Sequence, residues 1–537
     1  MCMGSVHLSI SSGLFFKSLE CLMQWSRLFK AFTQCAALTG ISRVTGLMRD
    51  VVCAHFFGAG PEFDAFLVAF QIPNFMRRLF AEGAMSQAFV PILTACQHES
   101  GRDRQRVLIN GALGTLISVL LIITVCVEFK ASWIIRIYAP GFALQGDVRF
   151  ELAVSLLRWT FPYLLLISMT AYFGAILNCH QRFMVTAAAP ILLNVSLIVA
   201  AFNGGSISEE ALHQLAYAVP IAGLLQLLWV GGHMVRLVGY IYPTWGWANE
   251  DVRTMWRLML GALFGVSIAQ IGLVIDTFLA SFLVKGSVSW LYFSQRLVFL
   301  PLGLFGVAAS TVILPKLSNP KQADAVESTL TWAVSMMCVL GVPAMMGLIV
   351  LAKPIIMTLF LYGAFDISDM VQTEYSLIAL ASGLPAFMLI KIFAAAFYAR
   401  QDVKTPVKMG AYSLLLHVCL CLALMQVFAH AGLALAAACS GWFQLGLLGY
   451  RLYQLTHWTV PWRSIQQVLL ATVLMTLSVW AVMHYLTTPM MWNTLKGRIF
   501  TLLTLIIIGL LTYGFSLWGL RWRLNPIASS LNEGRPA

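Results

Sequence analysis

Runs such as Thr501–Leu511 (TLLTLIIIGLL) and Leu414–Leu424 are apolar almost without interruption. A run of that length satisfies its backbone polar groups internally only as a helix, and many such runs in one chain make the bilayer the solvent. Transmembrane strands would instead alternate apolar and polar residues. Composition agrees, because 59% of the 537 residues are hydrophobic and 10% are charged, against ~25% charged in a soluble domain. The expected fold class is an all-α polytopic membrane protein.

Reading apolar runs between polar breaks gives about fourteen spans, at 28–57, 63–96, 106–130, 150–179, 183–203, 209–236, 253–284, 287–316, 325–351, 370–399, 406–428, 431–454, 465–486 and 498–520. With a cytoplasmic N-terminus, the inner loops hold Arg102, Arg104, Arg106, Arg182, Arg236, Arg253, Lys321, Arg400, Lys404, Lys408, Arg451 and Arg463. The turns at 58–62, 204–208 and 429–431 carry no Lys or Arg, so the positive-inside rule places both termini in the cytoplasm. The same distribution accounts for the net charge of +12 without nucleic acid, since no long basic stripe is present. Eleven scattered cysteines, without a CxxC pair or a matching His cluster, exclude a disulfide framework and a structural zinc motif. The first 22 residues fit no span, and translation is expected to begin at Met23; N-terminal sequencing that starts at Met1 would overturn this.

Three similarities recur at nearly one offset: Asp50 with Asp276 (226 residues), Pro91 with Pro315 (224) and Ala175 with Ala396 (221). Six spans separate the copies, an even number, so the halves share orientation about an axis along the membrane normal. The expected organisation is an N-terminal extension with an amphipathic lead-in (1–27), an N-lobe of spans 1–6 (28–240), a C-lobe of spans 7–12 (241–455), two trailing spans (456–522) and a cytoplasmic tail (523–537). Substrate is expected between the lobes near mid-membrane.

Charges inside the spans are the chemical clue. An Arg or Lys at a helix centre costs ~2.5–3.5 kcal/mol on insertion scales. Span 1 carries Arg43, Arg49 and Asp50, span 2 carries Asp64, Arg77, Arg78 and Glu82, and span 8 carries Arg296. Facing lipid, these together would cost roughly 10 kcal/mol or more, so a central cavity is the cheaper place for them. Internal ion pairs, Arg49 with Asp50 or Asp64 and Arg78 with Glu82, account for part of the set but leave positive charge over. Such a cavity suits an anion, and the planar guanidinium fork matches a diphosphate. Gly46, Gly58, Gly60, Pro73 and Gly83 interrupt spans 1 and 2, where backbone irregularity can line a cavity or bend during transport.

The stretches SRVTGLMRDVVCAHFFGAGPEFDAFLVAFQIPNFMRRLFAEGAMSQAFVPIL, GSVSWLYFSQRLVFLPLGLFGVAASTVILPKLS and FYARQDVKTPVK closely resemble the MurJ (MviN) family of lipid II flippases. The resemblance runs from about Leu28 to the end of span 14 and is most specific in spans 1, 2 and 8. It implies the multidrug/oligosaccharidyl-lipid/polysaccharide exporter fold, with two six-helix lobes around a cationic cavity and two extra helices forming a groove. It implies lipid II, an undecaprenyl diphosphate bearing a disaccharide-pentapeptide, as the substrate turned to the periplasmic leaflet of the inner membrane by alternating access for peptidoglycan synthesis. By motif it puts substrate contacts at Arg43, Arg49, Asp64, Arg77, Arg78 and Arg296, with the Asp64–Arg77 region as part of a gate. Membrane lipids and the cell-wall synthesis machinery are the other implied partners. Glu82, Asp50, Asp276 and His417 are the gating or coupling candidates.

In some relatives a sodium ion sits in the C-lobe near an aspartate matching Asp276. Here His417 and Cys421 stand at the span 11 positions, which removes hard oxygen ligands and speaks against sodium. Asp276 with His417 could form a proton-sensitive pair, or His417 could be merely hydrogen-bonded in the bundle. No cofactor and no metal are expected, and a membrane potential or ion gradient is expected to supply the energy. Gln295 and Phe299 replace acidic residues of some relatives.

An acyltransferase reading rests on His98 and Asp103 alone, at H-x4-D spacing in a polar loop, and a glycosyltransferase would need clustered acids. A cation-drug antiporter is disfavoured by the sign of the cavity. The alternative within transport is a flippase for another undecaprenyl-diphosphate-linked oligosaccharide.

Overall fold

The computed structural model describes residues 37–79, 85–99, 101–146, 148–205, 208–306, 325–485 and 489–522. Among the described residues every regular element is helical. In chain order these are α1 (37–57), α2 (Pro61–Arg77), α3 (Met85–Glu99), α4 (Gly101–Tyr138), α5 (Pro140–Leu144), α6 (Val148–Thr160), α7 (Tyr163–Cys179), α8 (Phe183–Gly204) and α9 (Glu209–Val238). They continue as α10 (Glu250–Ala280), α11 (Ser287–Pro301), α12 (Ala325–Val350), α13 (Ala352–Leu359), α14 (Ile367–Ala381), α15 (Leu384–Ala399), α16 (Lys404–Thr456), α17 (Trp462–Tyr485) and α18 (Leu495–Gly519).

Nine helical stretches among the described residues are long and apolar enough to cross a bilayer. The chain is a multi-pass membrane protein. A straight helix the length of α16, 53 residues, would run about 80 Å, more than twice the hydrocarbon thickness. It folds back at Ala429 (φ 48°, ψ −128°), and the Ser413 hydroxyl on one leg donates to the Ser440 carbonyl on the other at 2.8 Å. The expected spans at 406–428 and 431–454 are its two legs.

The expected span at 63–96 is described as α2 and α3, with residues 80–84 between them outside the described residues. Helix α2 packs chiefly on α6 and also on α4, α7, α9 and α11, and α3 packs on α10, α4 and α7, so α4 and α7 neighbour both.

The duplication is written in the backbone. Pro162 breaks one expected span into α6 and α7, and Ser382–Pro385 breaks its counterpart into α14 and α15. Gln181 and Gln401, 220 residues apart, each have φ 60°. The loops around them repeat bond for bond: Gln181 N donates to Asn178 O and Arg182 N to Leu177 O, as Gln401 N does to Tyr398 O and Asp402 N to Phe397 O.

The lobes meet at both ends: at one, Arg104 of α4 pairs with Asp251 of α10 at 3.0 Å and the Thr244 amide donates to Asn110 O at 3.1 Å; at the other, the first two helices reach the C-lobe. There the α1–α2 turn is held between the start of α11 and the loop before α14. The Ala364 amide donates to His55 O at 2.8 Å. Gly58, at φ 63°, has no Cβ to collide with Ala364 O, which would lie 2.6 Å away. The trailing helices α17 and α18 pair with each other and rest on α12 and α13, presenting Phe500, Phe515 and Trp518 outward.

Candidate functional site

A cavity of about 610 Å³ lies between the lobes. Its wall carries Arg43, Arg49, Arg77, Arg78 and Arg296 against Asp50 and Asp276. Among the described residues, five guanidiniums against two carboxylates give the positive surplus that the sequence requires.

The centre of this wall is an interlobe knot. Arg49 (α1) places Nε 3.0 Å and Nη2 2.6 Å from Asp50 Oδ1, while its Nη1 donates to Asn194 Oδ1 on α8 at 3.1 Å. Its Nη2 also donates to the Tyr292 hydroxyl of α11 at 2.9 Å, and that hydroxyl in turn donates to Asp50 Oδ1 at 2.8 Å. Arg296, one turn beyond Tyr292, gives it a second donor at 2.9 Å. Arg296 Nε lies 3.2 Å from Asp50 Oδ2 but is misaligned for a directed hydrogen bond; the contact is an ion pair only. One carboxylate and one phenol thus gather two arginines from opposite lobes. Arg49 and Asp50 are buried, whereas the Arg296 side chain keeps 36% exposure, so its guanidinium can still reach a ligand.

Arg43 reaches across to the continuation of α11. Its guanidinium lies where a Cβ on Gly303 would be, so glycine there is what lets the arginine in. Arg77 Nε donates to Asn74 Oδ1 at 3.4 Å. Arg78 Nη1 donates to Gln270 Oε1 of α10 at 3.0 Å. Glu82, the partner expected for Arg78, lies outside the described residues.

Asp64 stands elsewhere. It is fully buried and is absent from the cavity wall, apart from the arginines with which the resemblance groups it. Its Oδ2 accepts from the Gly286 amide at 2.7 Å and its Oδ1 from the Ser289 amide at 2.9 Å and hydroxyl at 2.6 Å. Arg149 Nη1 approaches at 3.6 Å. Helix α11 begins at Gly286 (φ 95°) with no cap from its own side chains; Asp64 supplies that cap from the other lobe. Asp369 adds a second clasp, accepting from Trp290 Nε1 at 2.9 Å and the Ala59 amide at 3.3 Å. These carboxylates clasp the lobes at the end that holds the α1–α2 turn.

Asp276, on α10, also lines the cavity. Its Oδ1 lies 2.9 Å from His417 Nε2, with His417 itself behind the wall. Arg43, Arg49, Arg77, Arg78, Arg296, Asp50 and Asp276 are therefore brought to one cavity. Tyr292, Asn194 and Gln270 were not anticipated. Tyr292 carried a signal, since its i, i+4 spacing from Arg296 puts both on one helix face; the two amides are single polar residues in apolar helices, with no spacing to mark them.

A family model described as lipid II flippase MurJ matches residues 53–507. A Vibrio cholerae protein named probable lipid II flippase MurJ is 41% identical over 91% of this chain and 95% of its own. Among solved structures, a lipid II flippase MurJ in an inward closed conformation aligns with a TM-score of 0.79 at 26% identity, covering 90% of this chain and 97% of that one. An inward-facing multidrug resistance MATE family transporter of the MOP superfamily aligns at a TM-score of 0.62 and 15% identity over 78% and 96%, a likeness of fold alone.

Proposed function

The chain belongs to the lipid II flippase MurJ family, and on that premise we infer that it carries lipid II across the inner membrane, from the cytoplasmic to the periplasmic leaflet, for cell-wall synthesis. The observation that carries this reading is the convergence of Arg43, Arg49 and Arg296 on one interlobe cavity with fewer acids than bases. Arg296 and Arg43 take the diphosphate oxygens in bidentate, charge-assisted contacts, while Arg49, fixed by Asp50 and Asn194, holds the positive field behind them. Arg77 and Arg78 extend the charge along α2 toward the head group. The polyprenyl tail stays in lipid along α17 and α18.

Transport proceeds without a covalent step, so the protein is a transporter rather than an enzyme and uses no cofactor. Both termini lie in the cytoplasm, and the end clasped by Asp64 and Asp369 is the periplasmic one. Opening requires those carboxylates to release α11 and the α1–α2 turn. A membrane potential or ion gradient biases the cycle, with Asp276 and His417 as the coupling position. The cell-wall synthesis machinery receives the product.

The test is complementation of a bacterium depleted of its lipid II flippase, with labelling of lipid II at the outer leaflet. The wild-type chain should restore labelling, and Arg43→Ala, Arg49→Ala and Arg296→Ala at equal abundance should not. Restoration by all three variants would remove the diphosphate clamp. Failure of the wild type at normal abundance would reassign the substrate to another undecaprenyl-diphosphate-linked oligosaccharide.

A further inference from the structure

Behind the cavity wall, three potential metal ligands from two helices meet. Asp276 comes from α10, and His417 and Cys421 from the first leg of α16, where an i, i+4 spacing puts both on one face. His417 Nε2 lies 2.9 Å from Asp276 Oδ1 and 3.5 Å from Cys421 Sγ, and Cys421 Sγ lies 3.9 Å from Asp276 Oδ1. All three residues are buried, and their ligand atoms lie within 4.8 Å of one another.

We propose that Asp276, His417 and Cys421 form a three-ligand site for a borderline-soft divalent cation of the Zn²⁺ class, open to the central cavity through Asp276. Tetrahedral coordination at usual Zn–N, Zn–O and Zn–S lengths separates ligand atoms by about 3.3–3.6 Å, so each present separation needs a change of roughly half an ångström or less. One carboxylate and one thiolate neutralise the dication exactly as far as a buried site requires, with His417 neutral. The ligand set of one oxygen, one nitrogen and one sulfur disfavours an alkali cation and favours a d-block ion. Binding converts the Cys421 thiol to a thiolate, and its proton leaves to cavity water.

The supporting shell is present as well. Ser440 Oγ, on the return leg of α16, lies 3.5 Å from His417 Nδ1 and donates its own proton to Ala437 O at 3.0 Å, the kind of outer contact that orients a ligating imidazole. Asp276 belongs both to the cluster and to the cavity wall, which gives the ion an entry path and leaves the fourth position to water. Cysteine spacing excludes a zinc motif in the linear sequence; the α16 hairpin and its contact with α10 assemble this set in space. The arginines of the cavity repel any dication, so loading is expected to be slow and to quicken as ionic strength rises.

The experiment uses the full chain, purified in detergent, stripped with a chelator and titrated with Co²⁺ as a spectroscopic stand-in for Zn²⁺. One equivalent should bind, with the intense visible bands of four-coordinate cobalt and a near-ultraviolet thiolate charge-transfer band, both erased by Zn²⁺ and untouched by Na⁺. Cys421→Ser should abolish the charge-transfer band, Ser440→Ala should weaken binding about tenfold, and Cys338→Ser should change neither. In the unmutated chain, Zn²⁺ should slow alkylation of Cys421 and leave that of Cys338 unaltered, a reading that depends on no variant folding. Absence of stoichiometric cobalt binding, survival of the band in Cys421→Ser, displacement by Na⁺ or unprotected Cys421 would each overturn the site. None of these measurements involves lipid transport, so the outcome stands apart from the flippase reading.

Discussion

Asp50 and Asp276 are repeat partners, 226 residues apart, and both line the same cavity, yet they keep opposite company. Asp50 is gripped by Arg49, Tyr292 and Arg296; Asp276 faces His417 and Cys421. One half of the duplication has become a cationic frame with its acid as the organiser, and the other a compact carboxylate, imidazole and thiol cluster with no arginine bonded to it among the described residues. An inherited carboxylate is thus a fixed point around which each lobe has grown a different chemistry.

The sharpest way to break this contrast is Arg49→Ala, which leaves Asp50 buried with the Tyr292 hydroxyl and the misaligned Arg296 guanidinium but without its closest charge partner. Stability should fall by ~3–5 kcal/mol, as for a buried pair robbed of one member, and outer-leaflet labelling of lipid II should be lost. The double variant Arg49→Ala/Asp50→Ala should be less destabilised than the sum of the singles; thermal unfolding in detergent measures both. Asp64→Asn comes next. It removes the charge from three hydrogen bonds, each charge-assisted bond being worth ~1.5–3 kcal/mol, and hydrogen exchange at the Gly286 and Ser289 amides should quicken at least tenfold while amides within α4 are unchanged. Gly303→Ala should lower the rate of transport several-fold by evicting the Arg43 guanidinium, at little cost in stability because what moves is the far end of a flexible side chain. Asp276→Asn is expected to be the mildest of the carboxylate changes for stability, ~1.5–3 kcal/mol for one hydrogen bond to a charged group. Equal losses in Asp50→Asn and Asp276→Asn would erase the contrast between the two acids.

Helix positions were legible because lipid makes hydropathy explicit; the α16 hairpin and the α17–α18 pair stand where apolar runs ended. The arginines of the cavity could be read from cost alone, because a guanidinium in lipid must find a reason to be there. Asp64 carried the same cost yet stands off the cavity wall, at the head of α11: burial expense marks a residue as important without saying whether it meets a ligand or a helix end. His417 and Cys421 could be suspected from their spacing, but Ser440 enters only through the fold-back at Ala429.

The clasp at the closed end draws most of its donors from the main chain: the amides of Ala59, Gly286, Ser289 and Ala364, joined by one hydroxyl and one indole. Substitution cannot delete an amide short of proline, so this junction offers evolution a small mutational target. Drift in closing strength is confined chiefly to Asp64 and Asp369, and a lineage retuning how readily its lobes part would have to edit one of two letters.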